Sequence, residues 1–134
     1  LGGPVKYIDI DIFYKQFNVN FFGQIKITKE YLELLGAYKG SKFQGKIINI
    51  SSVSGKRAYP YMAPYSASKF ALEAFSDSLR IELMMYGVDV IVIEPGPIKT
   101  AIWDKAPAIP DFKRTLKKLL DEKEFSGMGN IGTE

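Results

Sequence analysis

Tyr65 and Lys69 lie one helical turn apart, and Ser52 stands thirteen residues before the tyrosine, at the end of an apolar run. These three side chains can move a proton: a phenol gives or takes it, an ammonium favours the phenolate, and a hydroxyl holds a substrate oxygen close by. A phenol ordinarily ionises at about pH 10 and is a poor proton carrier at neutrality. Bringing that value down to about 7 takes roughly 4 kcal/mol, within reach of a close cation in a dry cleft. Lys69 can supply that cation.

The spacing alone is a weak signal. With 8 tyrosines in 134 residues, chance supplies about one Tyr-x-x-x-Lys pair. Tyr38 and Lys42 form a second such pair, but they sit between Gly36 and Gly45 in a segment that reads as a loop, and Ile25 stands thirteen residues before them. Context therefore selects Tyr65 and Lys69.

Composition narrows the chemistry further. Histidine and cysteine are both absent, so a Ser-His-Asp triad, a thiol nucleophile, a disulfide framework and a cysteine or histidine metal site are excluded. A 46% hydrophobic and 25% charged composition is that of one globular unit, or part of one. The net charge of +3 is mild and the lysines are dispersed, which does not imply nucleic acid. Apolar runs such as Val90-Ile-Val-Ile93 are far too short to cross a bilayer, and no charged-then-apolar leader opens the chain. The expectation is a soluble, cytoplasmic protein.

The elements that must position these residues follow from periodicity. Asp9 to about Leu35 reads as a helix capped by Asp9, with Phe13, Phe17, Phe21, Ile25 and Leu32 on one stripe. Gly36 to Gly45 reads as a loop, and Lys46-Ile-Ile-Asn-Ile50 as a strand closed by Ser51 and Ser52. Ser51 is expected to bond backbone, leaving Ser52 to face the cleft. A second helix starts at Pro64 and runs to about Tyr86, with Phe70, Leu72, Phe75, Leu79 and Leu83 for burial and Gly87 as its stop. Val88 to Ile93 reads as a second strand, apolar enough for both faces to be covered. Asp111 to about Glu122 reads as a short helix.

Helix, strand, helix, strand argues for a parallel α/β sheet, whose sites lie outside the carboxyl ends of the strands. Ser52, the start of the helix carrying Tyr65, and Pro95 to Thr100 then converge on one cleft. Two parallel strands cannot make a stable sheet unaided, so the fold looks incomplete.

At this point the residues resemble the short-chain dehydrogenase/reductase family. The matching segments are Asn18-Val-Asn20-Phe-Phe-Gly23, Gly45-Lys-Ile-Ile-Asn-Ile-Ser-Ser52, Tyr65-Ser-Ala-Ser-Lys69 and Ile93-Glu-Pro-Gly96-Pro-Ile-Lys-Thr100, in the family's order, over about residues 1 to 103. The resemblance implies a Rossmann-type doubly wound parallel α/β sheet, here without its cofactor-binding first half and its last strand. It implies hydride transfer between NAD or NADP and a carbonyl or secondary alcohol. By the same resemblance Tyr65 is the acid/base, Lys69 binds the nicotinamide ribose and lowers the tyrosine's pKa, Ser52 orients the substrate oxygen and Asn20 holds a relay water. Pro95, Gly96, Ile98 and Thr100 look like the segment that touches the nicotinamide end of the cofactor. The residues by themselves also allow Pro95-Gly96 as a strand stop and Thr100 as a helix cap.

Residues 1–100 are read as a catalytic core and 101–134 as a lid or substrate-loop region. Met62, Ile102 and Trp103 are candidates for an apolar substrate wall, or ordinary packing, and a steroid- or retinoid-like alcohol is the expected substrate type. The aromatic stripe is core or a subunit interface; the resemblance implies a homo-oligomer paired through the long helices. The alternative reading is a catalytically silent helix-pairing assembly module.

Overall fold

The computed structural model describes residues 3–98. Thr100, Ile102, Trp103, the expected helix from Asp111 to Glu122 and the whole region 101–134 lie outside the described residues. The chain divides into two compact units, Leu1–Gly96 and Pro97–Glu134, and all the described helices and strands belong to the first.

A long helical rod opens that unit. Asp9 caps it as expected, with extended backbone and a side chain that accepts the Asp11 N–H at 3.0 Å. α1 (Ile10–Phe17) passes through one π-helical turn, Asn18–Phe22, directly into α2 (Gly23–Tyr31). The expected stripe of Phe13, Phe17, Phe21, Ile25 and Leu32 is half-buried. What periodicity does not report is the wide turn in the middle, where the backbone bonds to the fifth residue instead of the fourth.

β1 (Lys46–Ile50) and β2 (Asp89–Ile93) pair in parallel, Lys46 opposite Asp89 and Ile50 opposite Ile93. Between them runs α3 (Ala63–Leu83), with proline in its first turn. A 3-10 turn at Met84–Tyr86 delivers the chain to Gly87, whose φ of 72° is the left-handed conformation that glycine adopts without strain.

Ile47, Leu79, Leu83, Val88 and Val90 form the core, with Leu32, Leu35 and Phe75 packed against it. Alternation puts Ile47, Asn49 and Val90 inside, while Ile48 is 54% and Ile91 40% exposed on the opposite face, together with Ile50 and Ile93. Covering of both faces, expected from the apolar second strand, is therefore not met among the described residues; helices cover the face bearing Ile47 and Val90. Asn49 is tolerated in this core because its Nδ2 donates to Ser76 Oγ at 2.9 Å, and Ser76 donates to the Leu72 carbonyl at 2.7 Å.

α3 departs from expectation at Phe70, which is 42% exposed. Ser66, Ser68 and Ser76 occupy buried positions instead, and such small side chains let the helix sit close against its neighbours. Two cations of α3 reach the sheet margins. The ladder turns the N–H of Asp89 and the carbonyl of Ile93 toward β1, so Val90 points its carbonyl outward, and Arg80 Nε donates to it at 2.9 Å. Ile50 likewise points its carbonyl away from β2 and receives Lys69 Nζ at 2.9 Å.

Candidate active site

The site is built at the carboxyl ends of the two strands. Ser52 follows β1 directly and caps a 3-10 turn, Val53–Gly55: its Oγ accepts the Ser54 N–H at 3.1 Å. The residue is 8% exposed. Accepting that bond leaves the hydroxyl proton to be donated to an incoming oxygen. Ser51 behaves differently from expectation. Its backbone N–H donates to the Ile93 carbonyl, but its buried hydroxyl has no partner among the described residues, while Ser52 is the serine bonded to backbone. Side-chain type cannot separate two adjacent serines; the local turn decides.

Tyr65 sits in the first turn of α3 and Lys69 one turn later. Lys69 Nζ stands 5.8 Å from the centre of the Tyr65 ring while it donates to the Ile50 carbonyl. The ammonium is thus held between the end of β1 and the tyrosine. Burial pushes the Lys69 pKa below its ordinary value, and the Glu73 carboxylate opposes that fall.

Asn20 lies in the π-helical turn, and its Nδ2 donates to Ser68 Oγ at 3.1 Å. Ser68, fully buried, donates in turn to the Tyr65 carbonyl at 2.7 Å. The asparagine therefore reaches the tyrosine's helix through Ser68, a residue that sequence reasoning missed. Its signal was spacing, three residues after Tyr65 on the same helix.

Beyond β2, the Pro95 carbonyl accepts the Val53 N–H at 3.1 Å, which stitches this segment to the turn capped by Ser52. Among the described residues, a Cβ on Gly96 would meet nothing within 4 Å, so they leave the backbone there open to close approach. Ile98 is exposed and belongs to the second unit. Met62 is half-buried and precedes α3, accepting the Ser66 N–H at 2.8 Å. Just before it, Tyr61 has a φ of 66° and its carbonyl accepts the Gly3 N–H at 2.7 Å. A left-handed non-glycine residue costs about 1–2 kcal/mol, and here it shapes the entrance to the helix that carries Tyr65.

Sequence reasoning also missed Glu73 and Lys56. Glu73 lies four residues after Lys69 and is 5% exposed; its Oε2 meets Lys56 Nζ at 3.1 Å, and Lys56 Nζ is 3.7 Å from Glu94 Oε1. Among the described residues no cluster of three or more carboxylates could hold a metal ion, and no helix is long and apolar enough to cross a membrane.

The chain is similar to known proteins over most of its length. Residues 2–109 match the family model described as short chain dehydrogenase. The chain is 52% identical to a protein named NADPH-dependent 3-dehydrocapnine reductase from Ornithobacterium rhinotracheale, over 94% of this chain and 48% of that protein. It is 45% identical to the uncharacterized oxidoreductase YusZ of Bacillus subtilis, over 76% of this chain and 35% of the relative. The chain thus spans about half or less of the length of these curated relatives. Among solved structures, sorbitol-6-phosphate 2-dehydrogenase SrlD from Erwinia amylovora aligns with a TM-score of 0.75 at 26% identity, over 87% of this chain and 44% of that one. A short chain dehydrogenase from Burkholderia cenocepacia in complex with NADP aligns with a TM-score of 0.68 at 28% identity, over 87% and 53%.

Proposed function

The chain belongs to the short chain dehydrogenase family, and from that premise we propose that it forms the catalytic portion of an NAD(P)-dependent oxidoreductase acting on a carbonyl or secondary alcohol. The observation that carries this reading is the Lys69 ammonium held between the Tyr65 ring and the Ile50 carbonyl, at the strand end that Ser52 closes.

A nicotinamide dinucleotide supplies the hydride or accepts it when bound. The residues here fit such a group by their donors and their space: Lys69 keeps further N–H bonds for ribose hydroxyls, and the open backbone at Gly96 admits a flat ring. Pro95, Gly96, Ile98 and Thr100 are the proposed cofactor-contacting segment. In this mechanism the Ser52 hydroxyl donates a hydrogen bond to the substrate oxygen and so holds it near Tyr65. Tyr65 gives its phenolic proton to that oxygen as a carbonyl is reduced, or takes it as an alcohol is oxidised. Lys69 stabilises the phenolate left behind. Asn20, through Ser68, holds the first turn of α3 in place and lies on the proposed path of proton resupply.

The substrate is proposed to be an apolar small molecule, with Met62 and Trp103 as the sequence-based candidates for contacting it. The relative at 52% identity is named NADPH-dependent, which favours NADPH of the two cofactors. A homo-oligomer paired through the long helices is supported by exposed apolar side chains on the rod, including Tyr14, Val19 and Phe22, and by Phe70 and Ile81 on α3.

The test is Tyr65→Phe in the complete protein, assayed with NADPH and NADH against apolar and polar ketones. Turnover is expected to fall by roughly a hundred- to ten-thousandfold, with an unchanged thermal transition. Near-normal turnover in the variant would overturn the mechanism.

A further inference from the structure

We propose that Glu73 is a positioning residue of this site: the counter-charge one turn beyond Lys69, and the anion whose ion pair with Lys56 ties α3 to the turn that Ser52 caps. The inference rests on the catalytic reading of Tyr65 and Lys69 given above.

Sequence places Glu73 on the face of α3 that already carries Tyr65 and Lys69, since residues four apart share a helix face. The fold buries it to 5% exposure. A buried carboxylate is costly unless paired and fully hydrogen-bonded. Glu73 meets only half of that requirement: Oε2 takes Lys56 Nζ at 3.1 Å, and Oε1 has no partner among the described residues. A side chain serving packing alone would be better apolar at this position.

Its surroundings show what it serves. Lys56 directly follows the turn that Ser52 caps, and the same ammonium lies 3.7 Å from Glu94, the residue before Pro95. The carboxylate on α3 is therefore paired with the residue after the Ser52 turn, and that same ammonium reaches on to the Pro95 segment through Glu94. Gly55 makes room for it. A Cβ there would stand 2.9 Å from Glu73 Cγ, 3.1 Å from Oε1 and 2.8 Å from Ser51 Oγ. The glycine thus lets the Ser52 turn close directly over the carboxylate.

The charges that act on this pair come from three elements. Lys69 responds to burial, which lowers its pKa, and to Glu73, which raises it. Lys56, after the Ser52 turn, is raised by Glu73 first, and less by Glu94 at the end of β2 and by Asp77 on α3. Removing the Glu73 charge leaves burial unopposed at Lys69. Removing the Lys56 charge leaves the Glu73 anion less compensated and strengthens its hold.

The experiment measures kcat/KM against pH in the complete protein for Glu73→Gln, Lys56→Met and Tyr65→Phe. Glu73→Gln is expected to move the alkaline limb to lower pH by about one pH unit. Lys56→Met is expected to move it the other way, by less, because Lys56 is solvent-exposed. A Glu73→Gln profile that superimposes on the parent, or shifts of the same sign in both variants, would overturn the proposal. Should Glu73→Gln fail to fold, the sign of the Lys56→Met shift decides alone, an acid-ward or absent shift overturning it. An active Tyr65→Phe protein would instead sink the catalytic reading, whatever the Glu73 result.

Discussion

Lys69 shows how one side chain couples fold and chemistry. Its ordinary pKa of 10.5 is lowered in the fold by burial. Between the lowered value and 10.5, the unfolded chain binds more protons than the folded one, so stability rises with pH across that window. Lys56 has the opposite sign. Glu73 raises its pKa, so its contribution is complete below 10.5 and is lost as pH climbs through the raised value. Lys69→Met is expected to remove the first effect and keep the second. Its urea midpoint should fall relative to the parent's as pH approaches 10.5, and parallel pH curves for the two proteins would contradict this. At this scale placement was legible where spacing carries it: counts along the chain put Lys69 beside the Tyr65 ring and Ser52 at the end of β1. The Ser51 hydroxyl without a partner and the half-paired Glu73 were not, because burial and turn geometry decide them.

Among the elements, ends were easier to read than interiors. Asp9, Pro64 and Gly87 mark their helix boundaries through side-chain acceptance, a fixed φ and a left-handed φ, all local properties of the residue. The π-helical turn at Asn18–Phe22 left no such mark, since one wide turn barely displaces an apolar stripe. Yet this turn carries Asn20 to Ser68, and it places Phe21 edge-on to Phe75 of α3 at 6.2 Å between ring centres. Ser68→Ala removes the acceptor of Asn20 and the donor to the Tyr65 carbonyl together. The expected loss is about 1–3 kcal/mol of stability, read as a lower denaturation midpoint. Turnover should also fall, since the first turn of α3 loses its tie to the rod. Unchanged midpoint and rate would show that the Ser68 bridge has no part in either.

For the whole molecule, the α/β class and the parallel pairing of two strands were legible from strand and helix order. Coverage of the second sheet face was not, because an apolar strand reports what it needs buried and not what buries it. Ile48, Ile50, Ile91 and Ile93 present that face. The proposed pairing of long helices is checked by sedimentation of the complete protein: a homo-oligomer is expected, and charged substitutions at Phe22 and Phe70 should lower its mass to that of one chain. A parent protein sedimenting as a monomer would remove the proposal. The two sheet margins carry a further meaning. Lys69 and Arg80 each occupy a carbonyl that the amide of a neighbouring strand would otherwise claim. Among the described residues, the cation that faces Tyr65 thus also shields one margin of the sheet, and Arg80 shields the other.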